Sequence, residues 1–209
     1  MISTLNPVSI VVPIKNRSSL LINLIKNLSN LDYPNYEIII VDDCSNDNTK
    51  EILKNSSVKS IILEESVGSA QARNMGIKEA KNDIIALTDS DCFVSKKWLR
   101  DLVPYLKKYD AVGGKVKFYD NLENRFNPFN AKKEIVLTKN SSINFLNTSN
   151  MIFKKEIWKS SGGFSNFRIE DLEFSWRLMK KGYKLIYSPK GLVIHHGKRT
   201  HFQNVLKYL

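Results

Sequence analysis

The first half of the chain alternates short apolar runs with stretches whose apolar residues recur every three or four positions. Runs rich in Val and Ile lie within 8–14, 33–43, 58–65 and 83–93, a pattern typical of strands buried on both faces. The stretches between them have helical spacing, and Ser18 is expected to cap the first helix. Strands that alternate with helices predict βαβ units and a parallel sheet with right-handed crossovers.

The pattern after residue 95 is less regular. A helix is predicted at 95–109, although Pro104 should kink it or end it early. A strand is predicted within 110–120. Residues 120–145, rich in Asn and aromatic side chains, are predicted to form a long irregular excursion.

Two predicted helices have further recognisable features. The helix at 68–81 contains small residues that suit close packing against a sheet, namely Ala72, Gly76 and Ala80. The late helix ends at Gly182, and its apolar face is expected to comprise Leu172, Trp176 and Met179. A last strand is predicted at about 184–195.

Composition limits the classes of function. The chain has 209 residues, of which 42% are hydrophobic and 25% charged, as in ordinary globular proteins. Its net charge of +11 favours phosphate-rich partners, namely nucleotides, nucleic acid or an anionic membrane surface. No apolar run approaches the ~18 residues of a membrane span, and no signal-peptide pattern is recognisable. The two cysteines, Cys44 and Cys92, lack metal-ligand spacing, so a reducing, cytoplasmic setting is expected.

Two of the predicted strands end in paired acids. Asp42 and Asp43 follow one strand, and Asp89 and Asp91 follow another. Because the carboxyl ends of parallel strands share one edge of a sheet, these carboxylates can converge there. Crowded carboxylates repel one another unless a cation is present, and Mg²⁺ or Mn²⁺ accepts carboxylates together with substrate phosphates. The alternative is that they belong to two hydrophilic turns, or cap the following helix.

Six motifs occur together in one order: VSIVVPIKNR, YEIIIVDDCSNDNT, GSAQARNMGIKEA, IIALTDSDCF, GGF and IEDLEFSWRLMKKGYKL. In this the sequence resembles glycosyltransferase family 2 over roughly residues 7–196. The resemblance implies a GT-A fold, with a Rossmann-like, mostly parallel α/β sheet flanked by helices and an irregular acceptor-side region. It also implies an inverting enzyme that uses a nucleotide-sugar.

The resemblance assigns nucleotide-binding roles to five residues. Asp43, with Asp42 beside it, would hydrogen-bond a uracil-like base, and Pro13 would line the same pocket. Arg73 would contact the nucleotide, and Asp89 would face the ribose.

The resemblance also assigns the metal site and the base. Asp91 would hold Mn²⁺ or Mg²⁺ at the diphosphate, and a histidine after the last strand would add a contact, with spacing that favours His195 over His196. Asp171, preceded by Glu170, would be the catalytic base.

Two departures from the family pattern refine the expectation. Lys15 stands where many members have an aromatic residue. No Q-x-x-R-W motif follows the late helix, which argues against a processive polymerase and favours a non-processive hexosyltransferase.

The expected protein is therefore a single GT-A catalytic domain over 1–209, with a nucleotide-binding part at about 7–95 and an acceptor and catalytic part at about 96–209. It would move a sugar from a UDP-sugar to a saccharide or lipid-linked acceptor, with peripheral contact with an anionic membrane and no nucleic acid partner. One alternative is a metal-dependent nucleotidyltransferase, although the first loop lacks a G-x-G phosphate-binding run. The other is a non-catalytic basic module that binds nucleotides or nucleic acid, although its lysines are scattered.

Overall fold

The computed structural model describes residues 6–118 and 128–196. Its first half alternates strands and helices as predicted. These elements are β1 (Val8–Ile14), α1 (Ser18–Ser29), β2 (Tyr36–Asp42), α2 (Thr49–Lys54), β3 (Lys59–Ile62), α3 (Ser69–Glu79) and β4 (Ile84–Leu87). All seven residues of β1 are buried, in keeping with its unbroken apolar run.

The second half contains shorter elements. They are β5 (Cys92–Val94), α4 (Trp98–Leu102), β6 (Ala111–Gly113), β7 (Val116–Phe118), β8 (Ile135–Val136), β9 (Met151–Lys154), α5 (Lys155–Ser161), α6 (Glu170–Lys180), β10 (Leu185–Tyr187) and β11 (Val193–His195). Short 3₁₀ helices lie at Val103–Lys107, Pro128–Asn130 and Thr148–Asn150. The α-helix before Pro104 ends at Leu102, so the predicted early end is confirmed.

The larger sheet has eight strands in the order β3-β2-β1-β4-β9-β6-β10-β8. Strands β1 to β4 are parallel to one another, as βαβ units require. Strand β9 is antiparallel to β4 and β6, and β8 is antiparallel to β10, so the sheet is mostly parallel. Buried apolar side chains form one cluster on each face of this sheet. The predicted α/β class with flanking helices is confirmed.

Three segments that were each predicted as one strand are each divided between two sheets. The first part of each segment, namely β4, β6 and β10, lies in the larger sheet. The second part, namely β5, β7 and β11, lies in a separate three-stranded sheet in the order β5-β11-β7. The strand predicted at 83–93 is confirmed as β4 up to the acids and is wrong beyond them, and the single strands predicted within 110–120 and at 184–195 are wrong. Each is interrupted by turn-forming residues that apolar patterning does not register, for instance Gly191 at φ 63° between β10 and β11.

Two smaller predictions are also wrong. Arg17, and not Ser18, occupies the N-cap position of α1, and Ser18 is the first helical residue. Trp176 is 40% exposed, because the buried face of α6 comprises Leu172, Phe174, Ser175 and Leu178. Of the predicted irregular excursion at 120–145, the part at 120–127 lies outside the described residues.

Helix α3 packs closely on the sheet, as its small residues predicted. A Cβ atom built on Gly76 would lie 2.4 Å from Cγ1 of Val11 in β1, and Ala72 is fully buried. This close approach sets the position of α3, whose side chains contribute to the site described below. Within the described ranges, no helix has the length and apolar composition needed to cross a bilayer.

Candidate active site

An open cleft of about 1000 Å³ lies at the carboxyl ends of the parallel strands. It is where an α/β sheet is expected to bind a ligand. Six residues predicted from the sequence line it, namely Pro13, Asp43, Arg73, Asp89, Asp91 and His195. Three further predicted residues, Asp42, Glu170 and Asp171, are not among its lining residues.

Asp43 is buried at the floor of the cleft and accepts hydrogen bonds from the loop before α3. Its Oδ1 accepts from the backbone N–H of Val67 at 2.6 Å, and its Oδ2 accepts from Oγ of Ser66 at 2.8 Å. The N–H of Gly68 lies 3.3 and 3.2 Å from the two oxygens. Gly68 has φ 84°, a conformation that favours glycine. Asp43 therefore shapes this loop as well as facing the cleft.

Asp42 is buried and does not line the cleft. Its Oδ1 accepts hydrogen bonds from the N–H and the Oγ of Ser45, and its Oδ2 is buried without a hydrogen-bond partner among the described residues. These bonds hold the turn after β2, where Cys44 has φ 60°. Asp42 thus supports the loop that flanks the cleft.

The loops after β1 and β2 are tied together at the rim of the cleft. Asn16, at φ 52°, donates its N–H to Ser45 Oγ at 2.8 Å and accepts from the N–H of Asn46 at 2.8 Å. Asp47 accepts from the N–H of Ser18 at 3.0 Å, and its bonds with Thr49 and Ser18 lower the pKa of Asp47. These contacts fix the backbone at the start of α1.

Asp89, Asp91, Cys92 and His195 offer ligand atoms that all lie within 4.8 Å of one another. Nε2 of His195 is 3.6 Å from Oδ1 of Asp91 and 3.9 Å from Oδ2 of Asp89. Strand pairing explains this proximity, because His195 in β11 is in register with Cys92 in β5, directly after the acids. Two convergent carboxylates suit Mg²⁺ or Mn²⁺.

Cys92 does not fit the same ion. Burial, with the charges of Asp89 and Asp91 adding to it, raises the pKa of the Cys92 thiol. Sulfur is a soft ligand and suits a hard cation such as Mg²⁺ or Mn²⁺ poorly. His196 also lines the cleft, but it is not among the residues whose ligand atoms lie within 4.8 Å of one another. The metal-ligating group that the residues support is therefore Asp89, Asp91 and His195.

Arg73 is buried and links two parts of the site. Its Nη2 donates to Oδ1 of Asp89 at 2.7 Å, and its Nη1 donates to Oε1 of Glu170 at 2.7 Å. Burial alone would lower the pKa of Arg73, but the charges of Asp89 and Glu170 outweigh it and raise that pKa, so the guanidinium stays charged. Arg73 thereby connects the acidic turn after β4 with the beginning of α6.

Asp171 lies in the first turn of α6, beside Glu170. Its Oδ1 accepts a hydrogen bond from the N–H of Leu172 at 2.8 Å. Burial raises the pKa of Asp171 to about 7, and the Glu170 charge adds to this, while the Leu172 N–H and Arg73 oppose it. A carboxyl group with a pKa near neutrality can take up a proton and release it at physiological pH.

The segment before α6 is anchored on α3. Oδ1 of Asn74 accepts from the N–H of Phe164 at 2.8 Å and from Nε1 of Trp158 at 2.9 Å, and its Nδ2 donates to the Phe164 carbonyl at 2.7 Å. Gly163 packs directly against Asn74, at φ 77°. Since Arg73 and Asn74 are neighbours on α3, one helix positions both Glu170 and the loop leading to it.

Several residues of the cleft were not predicted as site residues, among them Lys15, Arg17, Ser66 and Gly68. The signal that could have found Lys15 and Arg17 is their place directly after β1, the same edge rule that identified the acids. Ser66 and Gly68 lie in the loop after β3, where the same edge rule could have pointed to them, and their hydrogen bonds to Asp43 show what they do.

A mostly parallel sheet with a cleft at its carboxyl edge, lined by acids that can hold a divalent cation, defines the GT-A class of enzyme fold. The family model for glycosyl transferase family 2 matches residues 9–162, and the chain belongs to this family. This membership identifies a glycosyltransferase domain, and it decides against the nucleotidyltransferase and the non-catalytic basic module.

Relatives and solved structures agree with the family. The chain is 30% identical over 211 residues to glycosyltransferase AglE of Haloferax volcanii. The aligned region covers 93% of this chain and 68% of AglE. It superposes on S. aureus TarS 1–349 in complex with UDP-GlcNAc with a TM-score of 0.77 at 23% identity, over 92% of this chain and 59% of that one.

A third similar protein was solved with a metal. It is the mannosyltransferase PcManGT from Pyrobaculum calidifontis in complex with GDP-Man and Mn²⁺, with a TM-score of 0.76 at 19% identity, over 98% of this chain and 65% of that one. At these identities the two solved structures establish the GT-A fold. The chain spans less than two thirds of either solved chain.

Proposed function

We propose that this domain is an inverting, non-processive glycosyltransferase that moves a hexose from a UDP-sugar to a saccharide or lipid-linked acceptor. The observation that carries the proposal is the ion-pair chain from Asp89 through Arg73 to Glu170, both bonds being 2.7 Å long. It joins the metal-ligating group to the segment that carries Asp171. A donor held by the first part would thus be close to a base in the second.

Asp171 is the proposed base. In an inverting transfer, an acceptor hydroxyl attacks the anomeric carbon from the face opposite the leaving diphosphate, and its proton must be taken as the bond forms. General-base catalysis contributes ~10²–10⁴-fold to such a step. A pKa of about 7 leaves a useful fraction of Asp171 ionised at neutral pH, and the carboxylate is basic enough to accept the proton. Glu170, held by Arg73, keeps the first turn of α6 in place.

Asp91 and His195 would hold Mn²⁺ or Mg²⁺, and Asp89, expected from the sequence to face the ribose, lies close enough to share this ion. When bound, such an ion neutralises negative charge on the departing diphosphate. The two carboxylates supply the hard oxygen ligands that either ion prefers. Asp89 also accepts a hydrogen bond from Arg73 through Oδ1, which orients its carboxylate. The other oxygen, Oδ2, lies 3.9 Å from Nε2 of His195.

The base of the nucleotide is proposed to lie between Pro13 and Asp43, which line the same cleft. Asp43 keeps its carboxylate facing the cleft because the loop before α3 donates hydrogen bonds to it. Asp42 acts indirectly, through Ser45. Lys15 donates to Ser66 at 2.6 Å and lies 4.0 Å from Asp43, so a cation occupies the position of the aromatic residue of many relatives.

The remaining proposals concern organisation and surroundings. Residues 7–95 would bind the nucleotide, and residues 96–209 would supply the acceptor and catalytic part. The net charge of +11 supports peripheral contact with an anionic membrane, where each basic residue near the surface contributes ~1 kcal/mol. The cytoplasmic setting expected from the two cysteines stays a prediction.

The test is a panel of nucleotide-sugars. Each donor is incubated with the protein in MnCl₂ or in EDTA, and release of the nucleoside diphosphate is measured together with donor binding. The proposal expects metal-dependent binding and slow hydrolysis of UDP-sugars above the other donors. If the protein binds no nucleotide-sugar in MnCl₂, the proposed function is contradicted. If turnover is the same in EDTA as in MnCl₂, the proposed dependence on a divalent metal ion is contradicted. Preference for a GDP-sugar would contradict the proposed uracil base of the donor and leave the rest of the proposed function unchanged.

A further inference from the structure

The cleft contains a cation to which no role has yet been given. The side chain of Arg17 lines the cleft together with Asp89 and Asp91, and 50% of it is exposed. Within the described ranges its guanidinium forms one ion pair, in which Nη2 is 3.9 Å from Oδ2 of Asp91. That distance is too long for a hydrogen bond, so Asp91 attracts the guanidinium without fixing it.

The backbone of Arg17 is firmly held, in contrast to its side chain. Its N–H donates to Oγ1 of Thr49 at 3.3 Å, and its carbonyl accepts from the N–H groups of Leu20 and Leu21 at 3.0 and 3.1 Å. The preceding Asn16 turns the chain at φ 52° and is bonded to the loop after β2. The side chain therefore enters the cleft from a fixed point and can reorient at its tip.

Two other cations of the cleft are already engaged. Lys15 donates to Ser66 at 2.6 Å, next to Asp43. Arg73 donates from both terminal nitrogens to carboxylates at 2.7 Å, and it is buried. Arg17 differs from Arg73 because it is half-exposed, and it differs from Lys15 because, among the described residues, its side chain donates no hydrogen bond.

We propose that Arg17 binds the diphosphate of the donor and stabilises it as it leaves. This inference rests on the proposed function and adds a residue to it. The planar guanidinium donates pairs of hydrogen bonds that match phosphate oxygens. A divalent ion on Asp91 would compensate the charge that now attracts Arg17, which would then turn to the phosphates. Charge that grows on the diphosphate during transfer strengthens this contact most in the transition state.

Replacement of Arg17 should affect the binding of two ligands differently. In Arg17→Gln, affinity for UDP in the presence of Mn²⁺ should fall by about 10- to 100-fold, the value of a charged hydrogen-bonded contact. Affinity for Mn²⁺ alone should stay equal or rise, because a positive charge 3.9 Å from Asp91 is removed. A variant that merely disturbed the structure would weaken both.

Arg100→Gln is the matched control. Arg100 is 49% exposed and also pairs with an aspartate, Asp32, at 2.9 Å, but it does not line the cleft. Its replacement should leave both affinities unchanged.

The experiment measures UDP and GDP binding by titration calorimetry in MnCl₂, and Mn²⁺ binding by electron paramagnetic resonance. A wild-type protein that binds neither nucleotide contradicts the proposed function and removes the basis of this inference. If the wild type binds and Arg17→Gln binds equally well, the inference alone is overturned. It is also overturned if the variant loses Mn²⁺ binding, since Arg17 would then act by holding the metal-ligating turn.

Discussion

Arg73 donates a hydrogen bond to Glu170 at 2.7 Å, although the two residues are 97 positions apart in the chain. The same guanidinium donates to Asp89 at 2.7 Å. A single buried side chain thus fixes the distance between the acidic turn after β4 and the beginning of α6. Loss of this side chain would leave two partly buried carboxylates without their counter-charge.

Arg73→Gln should therefore destabilise the fold. Removing one partner of a buried ion pair typically costs ~3–5 kcal/mol, because the remaining charges are uncompensated. Urea denaturation of the wild type and the variant at pH 7 measures the difference. Arg100→Gln, which removes a half-exposed pair with Asp32, should cost no more than about 1 kcal/mol. Equal losses in the two variants would mean that the Arg73 pairs add little stability.

Asp171 should make stability depend on pH. Its pKa of about 7 exceeds the ordinary aspartate value, so between about pH 4 and pH 7 the folded state binds more protons than the unfolded state. Stability must then fall as pH rises through this window. Asp171→Asn removes this dependence. The free energy of unfolding of the variant relative to the wild type should therefore increase between pH 5 and pH 8, by on the order of 2 kcal/mol.

Chemical denaturation at both pH values measures this difference. A difference that is the same at pH 5 and pH 8 would show that Asp171 has an ordinary pKa in the folded protein.

Asp91 and His195 should differ in their importance for metal binding. Asp91→Asn removes a charged oxygen ligand, and Mn²⁺-dependent UDP binding should weaken by at least the ~10–100-fold typical of losing a supporting group at a metal site. His195→Ala should cost less, because a neutral ligand can be replaced by water. Titration calorimetry of UDP in MnCl₂ compares the two. Wild-type affinity in Asp91→Asn would exclude Asp91 as a ligand.

Asp171 should matter for transfer and little for donor binding. Asp171→Asn should lower the rate of sugar transfer by ~10²–10⁴-fold, the contribution of a general base. Its affinity for UDP with Mn²⁺ should stay close to that of the wild type, because Asp171 does not line the cleft. Glu170→Gln is the comparison. If Asp171→Asn turns over normally while Glu170→Gln is inactive, Glu170 is the base.

Gly76→Ala should test the close contact between α3 and the sheet. The added Cβ would lie 2.4 Å from Cγ1 of Val11 and 3.0 Å from Cγ2 of Val41, so α3 or these valine side chains must shift. Overpacking of this kind costs ~1–3 kcal/mol, more than the gain in helix propensity. Met75→Ala, on the exposed side of the same helix, should stay within about 0.5 kcal/mol. Thermal unfolding distinguishes the two.

The first half of the fold could be predicted because its strands contain runs of apolar residues. β1 and β2 have seven residues each, and the apolar runs within them indicate burial on both faces. The convergence of Asp43, Asp89 and Asp91 followed from strand ends sharing one edge. The division of later strands between two sheets could not be predicted, since β5, β6, β7, β10 and β11 have three residues each and carry little periodic signal.

The sequence indicated which residues belong to the candidate site better than it indicated which contacts those residues form. Two adjacent acids in a sequence do not reveal which of them faces the ligand. In the structure Asp43 lines the cleft, whereas Asp42 is bonded to Ser45 and does not. The link from Arg73 to Glu170 joins residues 97 apart, a pairing that no local pattern encodes. The proximity of His195 to the acids depends on β11 pairing with β5.

Strand β9 enters the sheet between β4 and β6 after a connection that leaves β7 at Phe118 and returns at Met151. Both ends of this connection are fixed by strand register, Phe118 opposite His195 and Met151 opposite Leu87. Doubling the length of such a connection costs only ~0.6 kcal/mol of chain entropy. Between these ends, however, the segment supplies β8 to the edge of the larger sheet and buries the side chains of Phe145 and Leu146. Added length is therefore expected to be tolerated between these anchored stretches and to disrupt the core within them.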